Sequence, residues 1–89
     1  MGGEILHYRD QTGLEVDAIF DTGDQWAAFE IKLGIGQIDQ AAANLSEFRR
    51  RVDTTKRGDP AILGVIVGSG LGYVRLDGVH VIPIAALGV

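Results

Sequence analysis

Hydrophobic and polar positions alternate with a period of two along the first third of the chain, then switch to a spacing of three and four. Residues 5–10, 14–21 and 25–33 read as three strands, separated by Asp10-Gln11-Thr12-Gly13 and Thr22-Gly23-Asp24, which have the composition of tight turns. Gly34-Ile35-Gly36 breaks the alternation. Ile38, Ala41, Ala42, Leu45, Phe48 and Val52 then mark one face of an amphipathic helix, with Asp39, Ala43, Glu47 and Arg50 opposite. A polar loop over residues 53–60, holding Gly58 and Pro60, ends the helix. The apolar run Ala61-Ile62-Leu63-Gly64-Val65-Ile66-Val67 lacks alternation, as expected of a strand covered on both faces. Asp77-Gly78 signals a hairpin between residues 73–76 and 79–83, and residues 85–89 read as a fading tail.

This order implies an α/β (α+β) fold, a mixed β-sheet in β-β-β-α-β-β order. The helix is long enough to cross over and set the fourth strand parallel to the third. A single helix covers only one face of such a sheet. The other face requires a preceding segment, a dimer partner or the remainder of a longer protein.

Length bounds the reading to one domain over residues 1–89, with a core that buries only ~60 to 65% of the unfolded surface. Because Met1-Gly2-Gly3 runs almost directly into strand-like sequence, we expect a C-terminal piece of a longer chain. The absence of cysteine excludes disulfides and thiolate metal sites and is compatible with a reducing cytoplasm. No apolar run approaches the ~20 residues a membrane helix needs, and no signal peptide is visible, so a cytoplasmic protein without a membrane partner is expected. The net charge of −4 is unevenly spread: residues 1–39 carry two basic residues against eight acids, and the basic residues gather in Arg49-Arg50-Arg51 and Lys56-Arg57. That balance argues against tight unaided nucleic-acid binding but leaves room for a basic lip, in which Arg49, Arg50, Lys56 and Arg57 are candidate nucleic-acid contacts. A basic last turn also complements the helix dipole, which is the commoner role.

The constellation able to hold a metal ion lies in Glu15-Val16-Asp17-Ala18-Ile19-Phe20 and Phe29-Glu30-Ile31-Lys32. Residues two apart in a strand share a face, so Glu15 and Asp17 point one way, as do Glu30 and Lys32, with Val16, Ala18, Phe29 and Ile31 on the opposite, apolar face. If the strands pair with polar faces aligned, three carboxylates and one ammonium converge, a costly cluster unless a cation or Lys32 neutralises it. The plainer alternative is a solvated strand face with cross-strand ion pairs worth ~0.2 to 1 kcal/mol each. Gln37 and Gln40, at the start of the helix, are accessory candidates beside Glu15. His7, a lone strand histidine, reads more readily as half-buried and structural.

An acid on the second strand of a meander, Glu-x-Lys on the third and a crossover helix together resemble the PD-(D/E)XK nuclease superfamily, which includes restriction endonucleases and Holliday-junction resolvases. The wording is similar to one branch, the C-terminal domain of unknown function attached to bacterial and archaeal AAA-type ATPases. The similarity is carried by His7-Tyr8-Arg9-Asp10, Gly13-Leu14-Glu15-Val16-Asp17, Phe29-Glu30-Ile31-Lys32-Leu33-Gly34, Ile38-Asp39-Gln40-Ala41-Ala42-Ala43-Asn44-Leu45 and Val81-Ile82-Pro83-Ile84-Ala85-Ala86-Leu87. The resemblance implies a restriction-endonuclease-like core lacking the N-terminal helix, with Asp17, Glu30 and Lys32 as catalytic residues. Val16 stands where the superfamily carries its proline. The implied chemistry is phosphodiester hydrolysis of DNA with Mg²⁺ or Mn²⁺ held by Asp17, Glu30 and the backbone carbonyl of Ile31, a hard-oxygen set suited to Mg²⁺. Lys32 would orient water or stabilise the phosphate, since adjacent carboxylates favour its charged form. The implied partners are DNA and the ATPase domain of a parent chain. The competing reading is a catalytically inactive interaction module that docks through the uncovered sheet face, in which case the isolated fragment would dimerise.

Overall fold

The computed structural model describes residues 3–52 and 54–87. Residues 1 and 2, position 53 at the start of the expected loop and positions 88 and 89 of the expected tail lie outside that range. Six strands form one sheet: β1 (Glu4–Arg9), β2 (Glu15–Asp21), β3 (Trp26–Lys32), β4 (Ile62–Val67), β5 (Tyr73–Val74) and β6 (His80–Pro83). Their spatial order is β1-β2-β3-β4-β6-β5. The first three make the expected antiparallel meander, and β4 lies parallel to β3, with Ala28 opposite Leu63 and Glu30 opposite Val65. The closing hairpin contributes both of its arms, so the β-β-β-α-β-β order gains a further, two-residue strand. Its returning arm β6 pairs parallel to β4 and leaves β5 on the edge.

Between β3 and β4 run a 3-10 turn (Ile35–Gln37), helix α1 (Ile38–Arg51) and the short helix α2 (Thr54–Arg57), the last within the expected loop. Asp39 in the first turn and Arg49, Arg50 and Arg51 in the last complement the dipole of α1. The helix stops where Val52 turns extended while its N–H still reaches the Phe48 carbonyl at 3.1 Å. The turn at Asp10–Gly13 requires a left-handed residue, and Gly13 supplies it at φ 89°.

The helix face read from periodicity is the buried one: Ile38, Ala41, Ala42, Leu45 and Phe48 pack on Val16, Trp26, Ala28, Leu63, Val65, Val67, Val79 and Val81. Ala41 and Ala42 let the helix approach the sheet, and full burial of Leu45 contributes about 1.5–3 kcal/mol. Trp26 meets Phe48 edge-on at 5.8 Å and donates its indole N–H to the Gly58 carbonyl, tying the loop after α1 to the core.

One face assignment needs correction. Val16 does not share a face with Phe29 and Ile31; it is fully buried beneath α1, as part of the same core as Trp26 and Ala28. The cause is a β-bulge. Leu6 pairs with Ile19 but Tyr8 pairs with Val16, so Asp17 and Ala18 together oppose the single residue His7. The bulge resets the alternation, and both Val16 and Ile19 turn toward the helix. The opposite sheet face carries Ile5, Phe20, Phe29 and Ile31, of which Ile5, Phe20 and Ile31 are 74, 42 and 50% exposed, so the expectation of an uncovered apolar face holds among the described residues. Among them, too, no helix is long and apolar enough to cross a membrane.

Candidate functional site

The bulge that corrects the face assignment also builds the site. Registered pairing of β2 with β3 ends at Ala18 opposite Phe29, and beyond that point carboxylates take the place of the ladder. The Asp17 N–H donates to Glu30 Oε2 at 3.1 Å, and the Ile31 N–H donates to Asp17 Oδ2 at 2.8 Å. Each acid therefore accepts from the backbone of the strand opposite. In an extended chain the carbonyl of Ile31 shares the lateral side of its N–H, so it too faces the Asp17 side of the seam.

Glu30 is the only charged residue among those described that is buried, at 3% exposure. Its register with Val65 places it beneath α1, where Asn44 Nδ2 donates to Oε1 at 3.4 Å, and Gln40 Nε2 in turn donates to Asn44 Oδ1 at 3.2 Å. Burial pushes the Glu30 carboxyl above its ordinary range; the Asn44 hydrogen bond pulls the other way, and the nearby Asp17 carboxylate adds to the upward push. Lys32, two residues on, lies on the same side of β3, half-buried, and among the described residues it makes no ion pair.

Of the candidate residues, Asp17 and Glu30 are thus brought together, with Lys32 on Glu30's face. Glu15 is not: the expected convergence of three carboxylates is corrected to two, because Glu15 pairs with Arg9 across the β1–β2 ladder, accepting from its Nε at 2.7 Å, with His7 Nε2 at 3.7 Å. Among the described residues no group of three His, Cys, Asp or Glu could hold a metal. Two carboxylates and a carbonyl are nonetheless a sufficient protein contribution for Mg²⁺, which keeps several waters. The donor set, all hard oxygen, fits that ion. Gln40 joins the site through Asn44, whereas Gln37 is exposed at the N-cap position of α1 and makes no capping bond there with its side chain. Asn44 lies within the stretch that carries the family similarity but is not among the site candidates read from the sequence. Its signal was the i,i+4 spacing from Gln40 and an amide placed mid-helix where residues with better helix propensity are expected.

The basic residues are engaged elsewhere. Arg49 binds Asp59 at 2.6 Å, Arg50 binds Glu47 at 2.6 Å, Arg51 binds Asp10 at 2.6 Å and Glu47 at 2.8 Å, and Arg57 binds Asp21. A phosphate contacting Arg49, Arg50 or Arg57 would compete with a carboxylate already in place. Lys56 is exposed. The Arg51–Asp10 pair also closes a structural cluster: Asp10 accepts from the Thr12 hydroxyl at 2.6 Å, from the Thr12 and Leu14 N–H groups and from the Tyr8 hydroxyl, which lowers its carboxyl to about 2.

Fold and site define a mixed α+β domain in which a two-carboxylate seam lies under a crossover helix. Over residues 1–87 the chain matches the family described as Domain of unknown function (DUF4143), and it belongs to that family. Neither a curated protein nor a solved structure matches it.

Proposed function

We propose that this chain is a PD-(D/E)XK nuclease-like domain that hydrolyses phosphodiester bonds of DNA with a divalent cation at the Asp17–Glu30 seam, in the setting of a larger AAA-type ATPase. The observation that carries the reading is the pairing of Asp17 with Glu30 across the bulged seam, with Lys32 on Glu30's face. Asp17, Glu30 and the Ile31 carbonyl would hold Mg²⁺ or Mn²⁺. When bound, such an ion acidifies water and acts as a Lewis acid toward phosphate. Asp17 and Glu30 contribute negative charge that the buried position of Glu30 makes expensive in the ion's absence. Lys32 supplies a positive charge that orients the attacking water and offsets charge building on the phosphate. Plasmid nicking by the full chain in Mg²⁺ or Mn²⁺ tests this: cleavage lost in Asp17→Asn and Lys32→Ala supports it, and cleavage unchanged in both defeats it.

A second reading, an inactive interaction module, is favoured by the exposed face around Ile5, Phe20 and Ile31. It expects concentration-dependent self-association in sedimentation, abolished by Ile31→Lys, and no cation-dependent cleavage. A monomer at all concentrations, with cleavage, would rule it out.

A further inference from the structure

The Gln40–Asn44 pair on α1 has no role in the chemistry above, yet it is the helix's contact with the Glu30 carboxylate. Resting on the cation reading, we propose that Asn44, its amide oriented by Gln40, is a positioning residue that fixes the Glu30 carboxylate for a divalent cation. Three observations support it.

First, the two Glu30 oxygens are held from different elements: Oε2 by the Asp17 N–H of β2 at 3.1 Å, and Oε1 by Asn44 of α1 at 3.4 Å. A carboxylate gripped at both ends cannot rotate without losing one partner. Second, an Asn amide could present either its oxygen or its nitrogen to Glu30. An ionised carboxylate only accepts, so Glu30 selects the Asn44 nitrogen, and the Gln40 Nε2 bond to Asn44 Oδ1 at 3.2 Å holds the amide in that sense. Third, both donors to Glu30 are neutral. Had the site only needed a satisfied buried carboxylate, an arginine would do it by charge cancellation, and α1 uses its arginines that way on Glu47, Asp59 and Asp10. Neutral donors fix the geometry of Glu30 and leave its charge for another cation.

The test uses Asn44→Leu, of similar size but without the donor, and Gln40→Ala at an exposed position, which keeps the test alive should the first variant not fold. Amide hydrogen exchange without metal reads the Asp17 N–H. Asn44→Leu is expected to speed its exchange about tenfold relative to the Val65 amide, and Gln40→Ala to speed it less. Calorimetry with Mg²⁺ is expected to show affinity about 10–100-fold weaker in Asn44→Leu. Asp17 exchange unchanged in the folded variants overturns the positioning role and leaves the cation reading standing. An absence of binding heat in the parent chain overturns the cation reading, while the exchange measurement still decides whether Asn44 holds Glu30.

Discussion

Asp17 and Glu30 accept hydrogen bonds from each other's strands: Glu30 Oε2 takes the Asp17 N–H at 3.1 Å, and Asp17 Oδ2 takes the Ile31 N–H at 2.8 Å. Two acids thus substitute for a stretch of β-ladder and lie next to each other because the backbone there needs acceptors. The arrangement satisfies the amides but leaves two carboxylates adjacent, one of them buried, and among the described residues neither forms an ion pair.

That conflict gives Glu30 a sign-specific pH dependence. Its carboxyl is raised in the folded chain from an ordinary value of 4.5, first by burial. The folded state therefore holds the proton more tightly, and the stability linked to it is full below the unfolded-state value and lost as pH rises through the folded one. Thermal melts of Glu30→Gln, without metal, should show stability relative to the parent climbing as pH rises above the ordinary carboxyl value of 4.5. A difference that stays flat with pH would contradict the burial argument.

Asp10 behaves oppositely. Its carboxyl is lowered from 3.8 to about 2, first by the Thr12 hydroxyl bond, so its contribution is present above the unfolded-state value and lost as pH falls through about 2. Asp10→Asn should lower the melting temperature at pH 7, with the deficit shrinking on acidification from pH 4 toward pH 2. An equal deficit at both ends would show that the cluster with Tyr8, Thr12 and Arg51 acts by shape alone.

Gly64, in the middle of β4, is a packing requirement of the uncovered sheet face. A Cβ there would stand 2.9 Å from Phe29 Cδ1 and 3.2 Å from Ile82 Cδ1. Gly64→Ala should cost about 1–3 kcal/mol in chemical denaturation, because the Phe29 ring must leave its place over the sheet. Combined with Phe29→Ala, the penalty should be smaller than the sum of the two single changes. Strict additivity would mean that the ring and the glycine are not coupled.

Much of this architecture was legible in the residues. Ile38, Ala41, Ala42, Leu45 and Phe48 follow the helical repeat without exception, so the buried face of α1 could be read directly. The turns were legible because Gly13, Gly23 and Gly78 stand where positive φ is needed. The bulge at Asp17–Ala18 was not legible, since nothing in a period-two pattern marks the residue that breaks it, and strict alternation therefore puts Val16 and Glu15 on the wrong faces. The Asp17–Glu30 pair survived that error because the bulge turns Asp17 laterally toward β3. The role of Asn44 is not legible for a different reason: a side chain's partner across the fold depends on the β3–α1 packing, which local pattern does not contain.

Whether the seam between Asp17 and Glu30 binds a divalent cation is decided by calorimetric titration of Mg²⁺ and Mn²⁺ into the full chain and its Asp17→Asn variant. Saturable, one-to-one binding is expected in the parent chain and is lost in Asp17→Asn, although the Asn oxygen can still accept the Ile31 N–H and preserve the fold. No saturable heat in the parent, or binding of equal strength in the variant, would contradict it.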